Sequence, residues 1–225
     1  RTPYDFAGYI TTYAYILTEA GSPLDAIPVL QKAIEFNPVD CGPKFELAEV
    51  YKRLKNKQRL VEITAETLKV ASTPAAIARC YANMGYILTD FQEFDDAVAF
   101  YTASIMSYPN PAIPMEMQHL ADLKGSPVQY VGLEKIKDVL GKYGMEFGPN
   151  QDVISVAAQL ASYYLGKKDL YNALNAMKLT YGLTRDEKLK EIILKYEPPK
   201  ENSSNDKPDI TQTVNEKPEI GRAHV

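Results

Sequence analysis

Seven positions in the middle of the chain, Tyr81, Met84, Gly85, Leu88, Ala97, Tyr101 and Pro109, are separated by gaps of 3, 1, 3, 9, 4 and 8 residues. The same gaps recur near the start at Ile10, Tyr13, Ala14, Leu17, Ala26, Leu30 and Pro38. They recur again near the end at Ala157, Leu160, Ala161, Tyr164, Ala173 and Met177, where Arg185 stands in place of the closing proline. A chain written this way folds as a row of like units, because no unit can bury its apolar face alone. Residues three and four apart share one face of a helix. The small residue beside each large one (Ala14, Gly85, Ala161) lets a second helix come close, so each unit reads as an antiparallel helix pair.

The connectors agree. Gly21-Ser22-Pro23 ends a helix, offers Ser22 as N-cap and places Pro23 where its missing N–H costs nothing, and the triplet returns at Gly125-Ser126-Pro127. Asn37-Pro38 and Tyr108-Pro109 mark helix ends, since the residue before proline is pushed out of the α region. Ile10 and Tyr81 are 71 residues apart and Tyr81 and Ala157 are 76 apart, so each interval holds a second, divergent unit. The first hidden unit shows Leu47, Ala48 and Tyr51 in its first helix, then Thr64 where a large apolar residue is expected, with Lys57 in the intervening loop. The second is more degraded: a short helix at Met115–Lys124, then a helix from Val128 to Leu140 carrying Val131, Ile136, Val139 and Leu140. The count is five helix pairs. A last amphipathic segment, Asp186–Tyr196, turns Leu189, Ile192, Ile193 and Tyr196 inward as a cap. Pro28 requires the helix from Pro23 to Glu35 either to kink or to start later.

Composition closes off several classes of function. The 225 residues carry a net charge of −4 with no cationic run, which argues against a nucleic-acid surface. No stretch has the length of apolar residues that a membrane span needs. Cys41 and Cys80 lie in no CxxC spacing and the histidines are His119 and His224, too few ligands for a structural zinc site. No cofactor or metal is expected, and a reducing, cytoplasmic location is. No GxGxxG, P-loop, GxSxG or HExxH is present, and the carboxylate pairs Asp95-Asp96 and Asp186-Glu187 fall at predicted helix starts, where the helix dipole favours them. From Pro198 the chain turns polar and proline-rich, with too little apolar surface to offset the cost of ordering. Residues 3–196 are therefore the expected repeat domain and 197–225 a disordered tail. Residues 220–225 match the in-frame translation of a sequencing adapter and are expected to be an assembly artefact.

The spaced positions resemble the tetratricopeptide repeat, whose aromatic-x2-Leu-Gly-x2-Tyr, Ala-x3-Phe and closing Pro fall at these separations in a unit of about 34 residues. The chain is also similar to bacterial proteins of that kind. The resemblance implies an all-α, right-handed α-solenoid of about five antiparallel helix pairs with a C-terminal capping helix. It also implies a non-enzymatic scaffold that holds a protein or peptide partner in a groove lined by the first helix of each pair. Projected onto this chain, the lining is Thr11 and Tyr15, then Glu46, Glu49 and Arg53, then Arg79, Asn83 and Tyr86, then Gln159 and Ser162. The chaperone-binding branch of the family needs a clamp of two Lys, two Asn and Arg. Thr11 and Tyr15 stand where that clamp wants Lys and Asn, so chaperone C-termini are not the expected ligand. Two other readings remain at this point: the peptide-sensing half of a transcriptional regulator, and the targeting arm of a larger enzyme.

Overall fold

A computed structural model describes residues 5–197; all of the expected tail after Glu197, its last six residues included, lies outside them. Among the described residues every regular element is a helix. In chain order they are α1 (Phe6–Glu19), α2 (Pro23–Phe36), α3 (Cys41–Arg53), α4 (Lys57–Val70), α5 (Pro74–Asp90), α6 (Phe94–Ser107), α7 (Ala112–Lys124), α8 (Leu133–Lys142), α9 (Gln151–Gly166), α10 (Leu170–Thr184) and α11 (Glu187–Tyr196). The number and order match five pairs and a cap.

Local chemistry sets these boundaries. Asp5, Asp40, Asn56, Thr73, Asn150, Asp169 and Asp186 each accept a hydrogen bond from a first-turn N–H, satisfying donors a helix start leaves orphaned. Ser22 sits at the N-cap of α2, but its side chain makes no such bond. α2 runs from Pro23 straight through Pro28, so the helix does not start later. The turn inside four of the pairs passes through the left-handed region at Gly21, Lys55, Gln92 and Lys168, and only the first of these is glycine. Lys57 is the first residue of α4 rather than a loop residue; it pairs with Glu93 and lies over the rings of Phe91 and Tyr143.

The pairs α1–α2, α3–α4 and α5–α6 stack in sequence, each packed on the one before. Their shared core is built from the repeat positions: Ala14, Ala26, Leu30, Leu47, Ala48, Leu60, Tyr81, Met84, Leu88, Ala97 and Tyr101 are all buried. Thr64, at the place where the repeat wants a large apolar residue, is 2% exposed, and its hydroxyl has no hydrogen-bond partner among the described residues. At the outer edge of the row Tyr13, at the repeat position of Met84, is exposed.

The fourth unit departs from the expected pair. α7 starts at Ala112 and is a full helix; the second helix begins at Leu133, not at Val128. Gly125 caps α7 in the left-handed conformation at φ 72°, and the following residues to Gly132 form no helix. The Val131 N–H donates to Thr102 Oγ1, half-way along α6. Both helices then finish at the start of α6: Lys124 Nζ meets Asp95 at 2.7 Å, Lys142 Nζ meets Asp96 at 2.8 Å, and the Tyr143 hydroxyl donates to Glu93 at 2.9 Å. α7 and α8 therefore run in the same direction, each packed on α6 rather than along each other. Cations at their C-terminal turns meet acids in the first turn of α6, an arrangement that both sets of helix dipoles favour.

Residues 144–150 then return beneath α5. The Tyr81 hydroxyl donates to the Glu146 carbonyl at 2.8 Å and accepts from the Gly148 N–H at 2.9 Å, with Phe147 stacked on its ring. α9 and α10 form the last antiparallel pair, but they pack with α11 around a separate core of Ala161, Leu174, Met177 and Ile193 instead of stacking along α7 and α8. α11 caps this pair only in part: Ile193 is buried and Leu189 half-buried, whereas Ile192 and Tyr196 are exposed.

Candidate partner-binding groove

The first helices of the units lie side by side, α1 against α3, α3 against α5 and α5 against α7, and form one wall. On α1, Thr11 and Tyr15 are half-buried, and the Thr11 hydroxyl donates to the Ala7 carbonyl at 2.7 Å. On α3, Glu46 and Glu49 are half-buried and Arg53 is exposed. Arg53 bridges two helices, meeting Glu19 of α1 at 2.5 Å and Glu49 of its own helix at 3.6 Å. On α5, the Arg79 guanidinium lies 4.4 Å from the ring centroid of Phe45 on α3, Asn83 is half-buried, and Tyr86 meets the buried Tyr101 ring edge-on.

These contacts join at one end of the wall. Lys52 pairs with Glu49 at 2.5 Å and also lies 5.1 Å from the Tyr86 ring centroid. Burial works against the Arg53 cation, but the hydrogen bonds and charges of Glu19 and Glu49 outweigh it and raise its pKa. Burial likewise pushes the Tyr101 phenol well above its ordinary range, so that hydroxyl stays neutral and acts only through hydrogen bonds.

Beside this cluster is an open cavity of about 410 Å³ built by three successive first helices. The end of α3 and its turn contribute Lys52, Arg53 and Lys55; α5 contributes Tyr86, Thr89 and Asp90; α7 contributes Glu116 and His119. Cations on one wall and acids on the other, with a tyrosine ring between them, suit a polypeptide, which offers both charge signs, backbone donors and acceptors, and flat apolar groups.

Of the sequence-predicted lining residues, the structure sets Arg53 and Tyr86 in the lining of this cavity, with Glu49 paired to its Lys52 and Arg53; Glu46, Arg79 and Asn83 lie on α3 and α5, and Thr11 and Tyr15 lie on α1 of the same wall. It does not bring Gln159 and Ser162 to them. Both are exposed on α9, bonded within their own helix to Ser155 and Ala158, and α9 does not pack along α7. In the sequence His119 reads only as too isolated to hold a metal, and Glu116 carries no role, because only the stacking of α7 on α5 brings both to this cavity. Their signal was their place on a fourth first helix, where the lining positions were not projected.

Residues 78–111, which span most of α5 and all of α6, match the tetratricopeptide repeat family. A solved structure described as "MamA RS-1 ArsTM double mutant" is similar to this chain with a TM-score of 0.46 at 18% identity, over 82% of this chain and 97% of that one. No curated protein matches the chain. Among the described residues no helix is long and apolar enough to cross a membrane.

Proposed function

We propose that the wall of α1, α3, α5 and α7 binds a protein or peptide partner and that the chain works as a non-catalytic scaffold. The tetratricopeptide repeat at residues 78–111 supports a role in protein–protein interaction, since stacked units of this kind create extended binding surfaces. The finer reading rests on one observation. Three consecutive first helices converge on a cavity whose lining combines Lys52, Arg53, Tyr86, Asp90, Glu116 and His119. Tyrosine supplies contact area at little entropic cost, and arginine holds carboxylate or carbonyl groups with more than one hydrogen bond.

The test is selection from a displayed peptide library, followed by titration of the selected peptides against the wild type and the Arg53→Ala/Tyr86→Ala/His119→Ala variant. Loss of binding with the helical circular dichroism retained supports the reading. Peptides that bind the triple variant as tightly as the wild type overturn it.

A further inference from the structure

Two surfaces of the chain that belong together in the repeat order are both uncovered. α5 packs on the preceding pair, α3 and α4, and three residues of that face, Cys80, Met84 and Ile87, are each 0% exposed. Cys41 of α3 lies near enough to Cys80 to disfavour its ionisation, which places this face against α3. The residues 76 positions later on α9 are Val156, Leu160 and Tyr163, and these are 54%, 44% and 57% exposed. The face that meets a preceding helix pair in the third unit packs on no preceding pair in the fifth, among the described residues.

The complementary surface is on the fourth unit. In an unbroken array the face of α9 would sit on the far side of α7. That side is an open groove of about 820 Å³, walled by Pro114, Met117 and Ala121 of α7 and by Val128 and Tyr130 of the extended return segment. An apolar stripe at helical spacing on α9 and an open groove with apolar walls beside α7, rimmed by Gln118, Asp122 and Gln129, are of the kinds that meet where α5 packs on α3 and α4.

The chain does not join its own halves. The segment leading to α9 is held under α5 by both hydrogen bonds of the Tyr81 hydroxyl and by the Phe147 ring, and Gly182 near the end of α10 lies against Pro74 at the start of α5. α9 is thereby tethered to α5, and it does not pack along α7. A second copy is free of that tether.

We propose that two copies of this chain associate reciprocally, the Val156–Leu160–Tyr163 stripe of each seated in the α7 groove of the other. Exchange about a twofold axis covers both surfaces in both copies and leaves none for further growth. Tyr9, Tyr13 and Ile16 of α1 stand at the same repeat positions and are also exposed. The groove belongs to the α9 stripe because α9 follows α7 in the repeat order.

Sedimentation velocity across the micromolar range tests this with three variants, each checked for wild-type helical content by circular dichroism. The stripe variant is Leu160→Glu/Tyr163→Glu, the groove variant Ala121→Glu/Tyr130→Glu, and the control Tyr9→Glu/Tyr13→Glu. If the groove variant loses helix, Gln118→Glu on the rim replaces it. The wild type and the control form dimers that do not grow into larger species; the stripe and groove variants are monomers when alone. Mixing these two variants restores dimers, each held by the one contact in which both surfaces are intact. A monomeric wild type, a ladder of higher species, a stripe or groove variant that still dimerises, a mixture that stays monomeric, or loss of the dimer in the α1 control overturns the proposal.

Discussion

A Cβ placed on Gly85 would lie 2.5 Å from Cε1 of Tyr101, a ring that is itself fully buried. The approach of α6 to α5 is set by this missing methyl group, and the Tyr101 ring, wedged edge-on against Tyr86, has no room to retreat. Gly85→Leu is expected to destabilise the chain by about 1–3 kcal/mol through overpacking, read as a lower urea midpoint. Lys57 cannot serve as the neutral control, because it is engaged with Glu93 and two rings. Lys137→Gln, exposed on α8 and 3.8 Å from Glu134, should leave the midpoint within error.

Tyr81→Phe keeps the stack on Phe147 and removes only the hydroxyl that joins Glu146 and Gly148 to α5. A lost pair of partly buried hydrogen bonds is expected to cost about 1–2 kcal/mol. Hydrogen exchange should speed up at Gly148 and its neighbours, while α1–α4 keep their protection. Unchanged exchange at Gly148 would show that the hydroxyl does not hold the segment.

The contacts that α4 and α7 make with the start of α6 are expected to weaken in acid. The hydrogen bond from Lys57 to Glu93 and that from Lys124 to Asp95 hold these carboxyls below their ordinary values of 4.5 and 3.8. A depressed folded pKa gives stabilisation that is complete above the ordinary value and is lost as pH falls through the folded one. Exchange protection at the first turn of α4 and the last turn of α7 should thus decline below about pH 4.5, ahead of α1 and α2. In Glu93→Gln/Asp95→Asn that decline should be absent, with weaker protection already at neutral pH.

Thr64→Val is expected to stabilise the chain. Its buried hydroxyl carries a desolvation cost with no compensating bond among the described residues, and valine fills nearly the same volume. The gain should be about 1 kcal/mol, seen as a higher melting temperature; a lower one would mean that the hydroxyl is satisfied in solution.

The first, third and fifth pairs were legible because both helices of each carry the spaced positions, whereas the second pair showed only its first helix clearly. Tyr81, Met84 and Gly85 fix one face, Ala97 and Tyr101 the facing one, and caps and prolines fix the ends. The fourth unit misled because Val128 and Val131 are three apart, as on a helix, yet pack on the core from an extended segment. That segment is held by core packing and by a hydrogen bond to Thr102, 29 residues earlier, and long-range contacts leave no mark in local spacing. The turns at Lys55, Gln92 and Lys168 are silent for another reason: they adopt the left-handed conformation without the glycine that announces it. In the groove, Arg53 and Tyr86 could be placed from the repeat register, whereas the meeting of His119 with Tyr86 at one cavity depends on a helix whose packing the degraded pattern concealed.

The return of residues 144–150 to Tyr81 gives the chain an unusual route for force. Tension on α9 would pass through the Tyr81 hydroxyl and the Phe147 ring directly into α5, and α7 and α8 would lie outside the load path as a slack side loop. Stretched from its C-terminal side, the molecule should first part at that latch and then lengthen by uncoiling the slack, while the three stacked pairs still hold.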